Sequence, residues 1–266
     1  MDAERTDTTC IMTNVKLEER YLNEWITYHV RLGIDHFYLY DNNDDERLIY
    51  TALDASPHRE RVTVHHMPGP YVNQRGTEHW LATHNSKHRA VAFIDVDEFI
   101  VLHKHRYLRD LLQEKLYPHG GALAINWLLF GDNGLTEYDP RPVTERFTMR
   151  QRYPNHHIKS IACCEDLTAR IFTHGVRLRE GRIARDTNGR HIPDIFNDGG
   201  PTDLIQLNHY FCKTIEEWRI KRDKGHCDWE PGSRRPDSDF DRHNFNEVHD
   251  GSAMKIFRSI GDTQGG

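Results

Sequence analysis

Long apolar runs are what this sequence has least of. Its longest, residues 122–130 and 91–94, fall far short of the ~20 residues that a membrane-spanning helix requires. A helix that crosses a bilayer is excluded on that ground. Cysteine is sparse too: five in 266 residues, an odd number in no paired metal-binding spacing, with Cys163 and Cys164 adjacent. A disulfide framework is therefore not expected, and a reducing, cytoplasmic compartment suits the composition best. The first nine residues are charged and carry no apolar core, so no secretory signal is expected. An excess of positive charge is also missing, since 35 Lys and Arg face 41 Asp and Glu for a net charge of −6. That argues against a nucleic-acid binder, whose footprint is a strongly basic domain. Internal repeats and long linkers are lacking, so one domain over residues 1–266 is expected.

What is present is enough for a folded core: 37% of residues are hydrophobic and 29% charged. The charge is uneven, because residues 141–190 hold eleven Lys and Arg against five Asp and Glu, a local excess of 11 − 5 = +6. Such a face suits phosphates, although a solvated basic surface gives the same count. Nineteen histidines are many, with pairs at His65–His66 and His156–His157 and an alternation at His103 and His105. Pairs of this kind often lie on strand edges or turns without binding metal.

Periodicity divides the first hundred residues into β-rich runs and amphipathic helices. A strand is expected at 8–15. A helix follows at 18–32, with Leu22, Trp25, Ile26, His29 and Leu32 on one face and Gly33 as its stop. Further strands are expected at 36–40, 61–67 and 90–94, and helices at 46–55 and 74–88. That succession is the signature of a parallel sheet with crossover helices. Beyond it, strands at 98–102, 121–130 and 204–210 and helices at 107–116 and 215–224 are expected. Residues 131–200 read as an irregular basic region rich in Gly, Pro and short β-like runs, and 228–243 as a long loop. The fold class is α/β, with a less regular second half.

The strongest chemical signal is FIDVDEF at 93–99. An apolar strand ends there in Asp95 and Asp97, spaced i, i+2, with Glu98 beside them. In open α/β sheets ligands gather beyond the carboxyl ends of strands. Two carboxylates at that place can hold a divalent cation and leave positions for water and substrate phosphates; a solvated turn is the plainer reading. A phosphatase of the haloacid dehalogenase type would carry such a pair on its first strand, whereas here several β/α units precede it. That position suits a metal bridging a nucleotide diphosphate. The second signal is LNHYFCK at 207–213, followed by Arg219, Lys221, Arg222 and Lys224. His209 suits a third metal ligand, and Lys213 with the cations after it could neutralise a departing diphosphate. A core histidine and a solvated helix face are the alternatives.

The stretch 19–41, ERYLNEWITYHVRLGIDHFYLYD, occurs in order with FIDVDEF, NWLLFGDNG, HIKSI, LNHYFCKT and FNEVHD. Together these motifs resemble the glycosyltransferase family 92-like group, related to the broader family 2 type. They run from about residue 10 to 255. The resemblance implies a GT-A fold: a Rossmann-like, mixed but mainly parallel sheet flanked by helices, with an irregular C-terminal half. It also implies a nucleotide-sugar half at about 8–102, an acceptor half at about 103–228 and a polar segment at 229–266. Asp95 and Asp97 match the DxD pair that holds Mn²⁺ or Mg²⁺ on the donor diphosphate, and His209 matches the His of the HYxxK motif. Glu18 matches the Glu of an Asn-Glu pair after the first strand, where Leu17 replaces the usual Asn. Asp41 and Asn42 match the polar end of the second strand beside the nucleoside, and Lys159 matches the Lys of the KSI motif. Asp132 and Thr214 each stand where Ser is commoner, and Cys163-Cys164 where Arg-Pro is commoner; the metal pair is intact, so an active enzyme is expected.

The implied reaction moves a sugar from a nucleotide diphosphate, with UDP favoured, to a hydroxyl of a glycan, glycolipid or glycoprotein. A lipid-linked acceptor would bring the protein to a membrane surface. Lys213, Lys159 and Arg222 are expected to assist the leaving group. No residue pattern singles out a general base; Asp228 comes first, with Glu165 and Asp132 as rivals. Trp25 and Trp127 are expected to pack in the core, whereas Trp229 is the candidate for acceptor contact. Two other classes stay open. One is a metal-dependent phosphatase or sugar nucleotidyltransferase, although 15–18 (VKLE) occupies the place of the glycine-rich loop of the latter. The other is a non-catalytic glycan- or nucleotide-binding module, because fold does not fix function.

Overall fold

The apolar alternation of the first strand explains the layers. A computed structural model of the chain describes residues 6–226 and 232–259. In β1 (Thr6–Val15), Ile11 and Val15 enter one core cluster while Cys10 and Met12 enter another on the opposite face. The same division holds in β2 (His36–Asp41), with Phe37 and Leu39 on one side and Tyr38 and Tyr40 on the other. A strand buried on both faces reads as a continuous apolar run, as parallel strands covered by helices do.

Helix α1 (Glu19–Arg31) covers the larger cluster with Leu22, Trp25 and Ile26, and Gly33 ends it at φ +90°, a value that favours glycine. Next come α2 (Arg47–Asp54), β3 (Val62–His66) and α3 (Val72–Thr83). The smaller cluster lies under α3, where Trp80 packs with Tyr38 and Phe93. Gly76 lets α3 approach closely, because a Cβ there would stand 3.0 Å from the Tyr40 ring. The helix expected at 74–88 is shorter than its sequence suggests: it begins at Val72, after Tyr71 in the left-handed region, and a 3-10 turn (Asn85–Lys87) separates it from β4 (His88–Phe93).

The chain continues through β5 (Glu98–Leu102), α4 (Leu108–Lys115) and β6 (Ala122–Leu129), close to expectation. After these come α5 (Val143–Arg146), β7 (Met149–Arg150), β8 (Ile158–Cys163), β9 (Leu167–Ile171), β10 (Gly175–Leu178) and β11 (Ala184–Arg185). The last elements are β12 (Ile205–His209), α6 (Ile215–Lys224), α7 (Ser238–His243), β13 (Val248–His249) and α8 (Ser252–Ser259). Two expectations are corrected here. Residues 131–200 are not merely irregular, because β8 is a fully buried strand in the middle of the main sheet; Lys159 and Ser160 disguise its apolar run. Residues 228–243 are not all loop, since they end in α7.

The main sheet runs β3-β2-β1-β4-β8-β6-β12-β5, with β11 beside β6. The first four strands are parallel; β8 lies antiparallel between β4 and β6, and β5 antiparallel to β12. This is the expected mixed, mainly parallel sheet flanked by helices. Strand order reverses between β1 and β4, so the crevice beyond their carboxyl ends is where a ligand belongs. The cysteines Cys10, Cys163, Cys164 and Cys212 are buried thiols. Among the described residues no helix is long and apolar enough to cross a membrane.

His29 shows how tightly the core is specified. It is fully buried, its Nδ1 donates to the Trp25 carbonyl and its Nε2 accepts from Ile100 N–H at 3.3 Å. Burial pushes its pKa down from 6.5 to about 3. The unfolded chain therefore binds a proton below pH 6.5 that the folded one refuses, and stability is lost as pH falls from 6.5 toward 3. Melting temperatures between pH 7 and 4.5 should fall more steeply for the wild type than for His29→Leu. Equal slopes would show that His29 titrates normally.

Candidate active site

The pleat of the segment that follows β4 creates the site. Ile94 and Val96 enter the larger core, so Asp95 and Asp97 turn the other way, and both line a cavity of about 510 Å³. The chain then folds back at once: Glu98 N–H donates to the Asp95 carbonyl, and β5 pairs with β12 so that Glu98 lies opposite His209. Tyr210 N–H closes on the Asp97 carbonyl at 2.9 Å. This register brings FIDVDEF and LNHYFCK, more than a hundred residues apart in sequence, onto one wall.

The two acids have different surroundings. Asp97 is almost wholly buried and is paired with Lys221, with His209 Nε2 at 3.5 Å and with Lys213 Nζ at 3.9 Å. Burial alone would raise its pKa, but Lys221 and His209 outweigh it and hold the carboxyl well below the usual range. Asp95 is 40% exposed and accepts from Lys159 Nζ at 2.7 Å. Burial opposes its charge as well, yet the Lys159 ammonium brings it to about 2. Lys159 is itself fully buried, 3.6 Å from Glu98, and burial would depress it; the two acids keep it charged. Burial pushes His209 down to about 4, so its imidazole is neutral, and its Nδ1 has no partner among the described residues.

Helix α6 is fixed so that its lysines reach the cavity. Thr214 caps it, accepting from Glu217 N–H, and the Glu217 carboxylate takes two hydrogen bonds from Arg146 at 2.8 and 3.0 Å and one from Tyr21 at 2.7 Å. One turn on, Lys221 meets Asp97, and Lys224 Nζ lies 3.1 Å from Glu18. Lys213 adopts φ +54°, a strained value for a residue with a side chain, and lies over the Tyr21 ring at 4.7 Å.

Glu18 and Asn42 line the cavity, joined by Asn14 at the end of β1. Asn42 donates to the carbonyls of Met67 and Gly69. Other residues singled out from sequence are placed elsewhere. Asp41 is wholly buried; it accepts from Asn43 and lies 3.1 Å from His66 Nδ1, so it shapes the turn rather than the wall. Arg222 points outward to Asp223 and Asp237, a correction that follows from helix phase, because Lys221 and Lys224 take the inner face. Asp132 accepts from Asn244 and Asn246 and ties that loop down. Glu165 is exposed beyond β8, whose antiparallel course puts it at the opposite end of β4 from Asp95. Asp228 and Trp229 lie outside the described residues.

Trp25 packs in the core and donates to the Glu98 carbonyl, as expected. Trp127 is buried too, but it also forms part of the cavity wall, its ring 4.3 Å from that of His209 and 5.1 Å from that of His157. His157, His174 and Asp239 line the cavity as well; the pair at 156–157 was the one sequence signal for any of them.

The Arg146–Glu217 pair is buried at 1% exposure on both sides. Breaking such a pair leaves an uncompensated charge and costs about 3–5 kcal/mol. Arg146→Leu should lose stability of that order in chemical denaturation, and Arg146→Leu with Glu217→Leu should recover much of it. If the single variant is as stable as the wild type, the pair is not what anchors α6.

A model of glycosyltransferase family 92 matches residues 7–165, which takes in Asp95, Asp97 and Lys159 and ends before His209 and α6. Among curated proteins, the chain is similar to glycosyltransferase family 92 protein Os08g0121900 of Oryza sativa subsp. japonica, with 30% identity over 81% of this chain and 34% of that protein. It is 32% identical to family 92 protein RCOM_0530710 of Ricinus communis, over 80% of this chain and 36% of the relative. For family 92 protein At1g27200 of Arabidopsis thaliana the identity is 30%, over 65% and 32%. The chain thus spans about a third of the length of these relatives. A solved structure, that of S. aureus TarS 1-349, aligns with a TM-score of 0.36 at 14% identity, over 59% of this chain and 47% of that one.

Proposed function

The chain belongs to glycosyltransferase family 92, and on that premise we propose that it transfers a sugar from a nucleotide-diphosphate donor, UDP-linked by preference, to an acceptor hydroxyl on a GT-A scaffold. The observation that carries this reading is the placing of Asp95 and Asp97 on one cavity wall at the sheet's reversal point, with Lys221 on Asp97 and Lys224 lining the same cavity.

The donor set suits Mn²⁺ or Mg²⁺. Asp95 and Asp97 offer hard oxygens to the cavity, and His209 is neutral with an unpartnered buried nitrogen. The three do not close into a cage, since among the described residues only His65, His79 and His84 bring three ligand atoms within 4.8 Å of one another. An ion held by one or two carboxylates and completed by water and phosphates fits that arrangement. When bound, it supplies Lewis-acid stabilisation to the leaving diphosphate.

The chain's own residues do the rest. Lys221 and Lys224 face the same cavity and add fixed positive charge where the diphosphate departs. Lys213 and Lys159 act one step back, holding Asp97 and Asp95 in place. Glu18, Asn14 and Asn42 form the polar rim for the nucleoside beyond β1 and β2. The acceptor, a glycan, glycolipid or glycoprotein hydroxyl, enters from the side of Trp127, His157 and Asp239. Inversion at the sugar would need a carboxylate within hydrogen-bond reach of that hydroxyl; Asp239, on the cavity wall, joins Asp228 as a candidate. Buried thiols fit a cytoplasmic setting.

Calorimetry with UDP, GDP and dTDP, each with Mn²⁺ and with EDTA, tests the donor site. UDP should bind with Mn²⁺ and lose at least tenfold in affinity in EDTA, in Asp97→Ala and in Lys221→Met. If no nucleotide binds, or binding ignores metal and substitution alike, the transferase reading fails and a glycan-binding module takes its place.

A further inference from the structure

Three histidines converge at the far edge of the sheet, away from the cavity. His65 is the fourth residue of β3, the outermost strand; His79 lies in the last two turns of α3; His84 follows that helix's end. One ligand atom of each lies within 4.8 Å of the other two. None of the three lines the cavity that holds Asp95 and Asp97. We propose that His65, His79 and His84 form a second metal site, for a divalent transition metal of the Zn²⁺ class, with its fourth position open to water.

Three neutral imidazoles with one open position are a familiar donor set for Zn²⁺, whereas Mg²⁺ and Mn²⁺ favour oxygen. The spacing is close to what coordination requires. Tetrahedral zinc with Zn–N of about 2.0–2.1 Å sets its nitrogens about 3.3 Å apart, and His65 Nε2 already lies 2.9 Å from His84 Nε2. The ring centroids of His65 and His79 are 4.5 Å apart. His79 is oriented from behind, since its Nδ1 meets the Tyr40 hydroxyl at 2.9 Å and leaves Nε2 for a ligand role. Such an outer contact to the second ring nitrogen is what fixes the tautomer of a metal-binding histidine.

One neighbour opposes the ion. Lys87 Nζ lies 3.1 Å from His84 Nδ1; the ammonium donates there, so His84 carries its proton on Nε2 and donates it to His65. Binding a metal moves that proton from Nε2 to Nδ1 and releases Lys87, which is exposed and free to swing into solvent. Proton count is conserved in the exchange. The ion would clamp the end of α3 to β3, and α3 begins at Val72 on the donor cavity. The inference stands independently of the transferase reading, because it uses none of the same residues.

Co²⁺ reports the geometry directly. Titration of the full chain should give intense visible bands of a four- or five-coordinate nitrogen site, saturating at one equivalent and displaced by Zn²⁺; an octahedral carboxylate site gives only weak bands. His79→Ala should lose the bands, Tyr40→Phe should weaken affinity about 10-fold or more, and His66→Ala should change nothing. Lys87→Ala should tighten binding, a gain that loss of folding cannot imitate. Absence of the bands in the wild type, or their full retention in His79→Ala, overturns the proposal.

Discussion

A buried carboxylate is the constraint around which the second half of this fold is arranged. Removing a charge such as that of Asp97 from water costs on the order of several kcal/mol unless partners repay it. Those partners come from separate elements: His209 ends β12, Lys213 precedes the N-cap of α6, and Lys221 lies on α6. None of them reaches Asp97 unless β5 pairs with β12 in the observed register and α6 folds back over the crevice. The charge thus specifies tertiary geometry that apolar packing alone would leave to several alternatives.

Asp95 repeats the principle on the other side. Its counter-ion, Lys159, is a fully buried lysine at the second position of β8, and β8 is the strand that interrupts the parallel order. A lysine there is tolerated because Asp95 and Glu98 both face it. The two acids of one short motif therefore hold the two halves of the sheet, β8 through Asp95 and β12 with α6 through Asp97. Such an arrangement keeps both carboxylates ionised at the cavity.

The local signals in the sequence were strong wherever burial was two-sided or periodic. The alternation of β1, β2 and β4 and the face of α1 carry their own periods, so these elements are legible within a few residues. The ends of the elements are not, as α3 shows, since Tyr71 in the left-handed region and a 3-10 turn depend on packing rather than propensity. β8 is illegible for a physical reason: a strand whose buried positions include Lys159 and Ser160 looks like a surface segment until its partners are known. The acid pair and His209 were legible because apolar runs lead into them, whereas Glu165 and Asp132 differ from cavity residues only in which end of a strand, or which loop, they occupy.

Helix phase accounts for the remaining difference and sharpens the chemistry. Of LNHYFCK and the cations after it, Lys213 and Arg222 were expected at the site ahead of Lys221 and Lys224. The capping box at Thr214 and the Arg146–Glu217 pair fix the rotation of α6, and residues three apart then share a face. Lys221 and Lys224 fall inward and Arg222 outward to Asp223 and Asp237. An ammonium is a compact point charge, while a guanidinium prefers a fixed two-pronged partner. The helix uses each where its geometry is appropriate: arginine on the outer surface against Asp223 and Asp237, lysines at the cavity against Asp97 and Glu18.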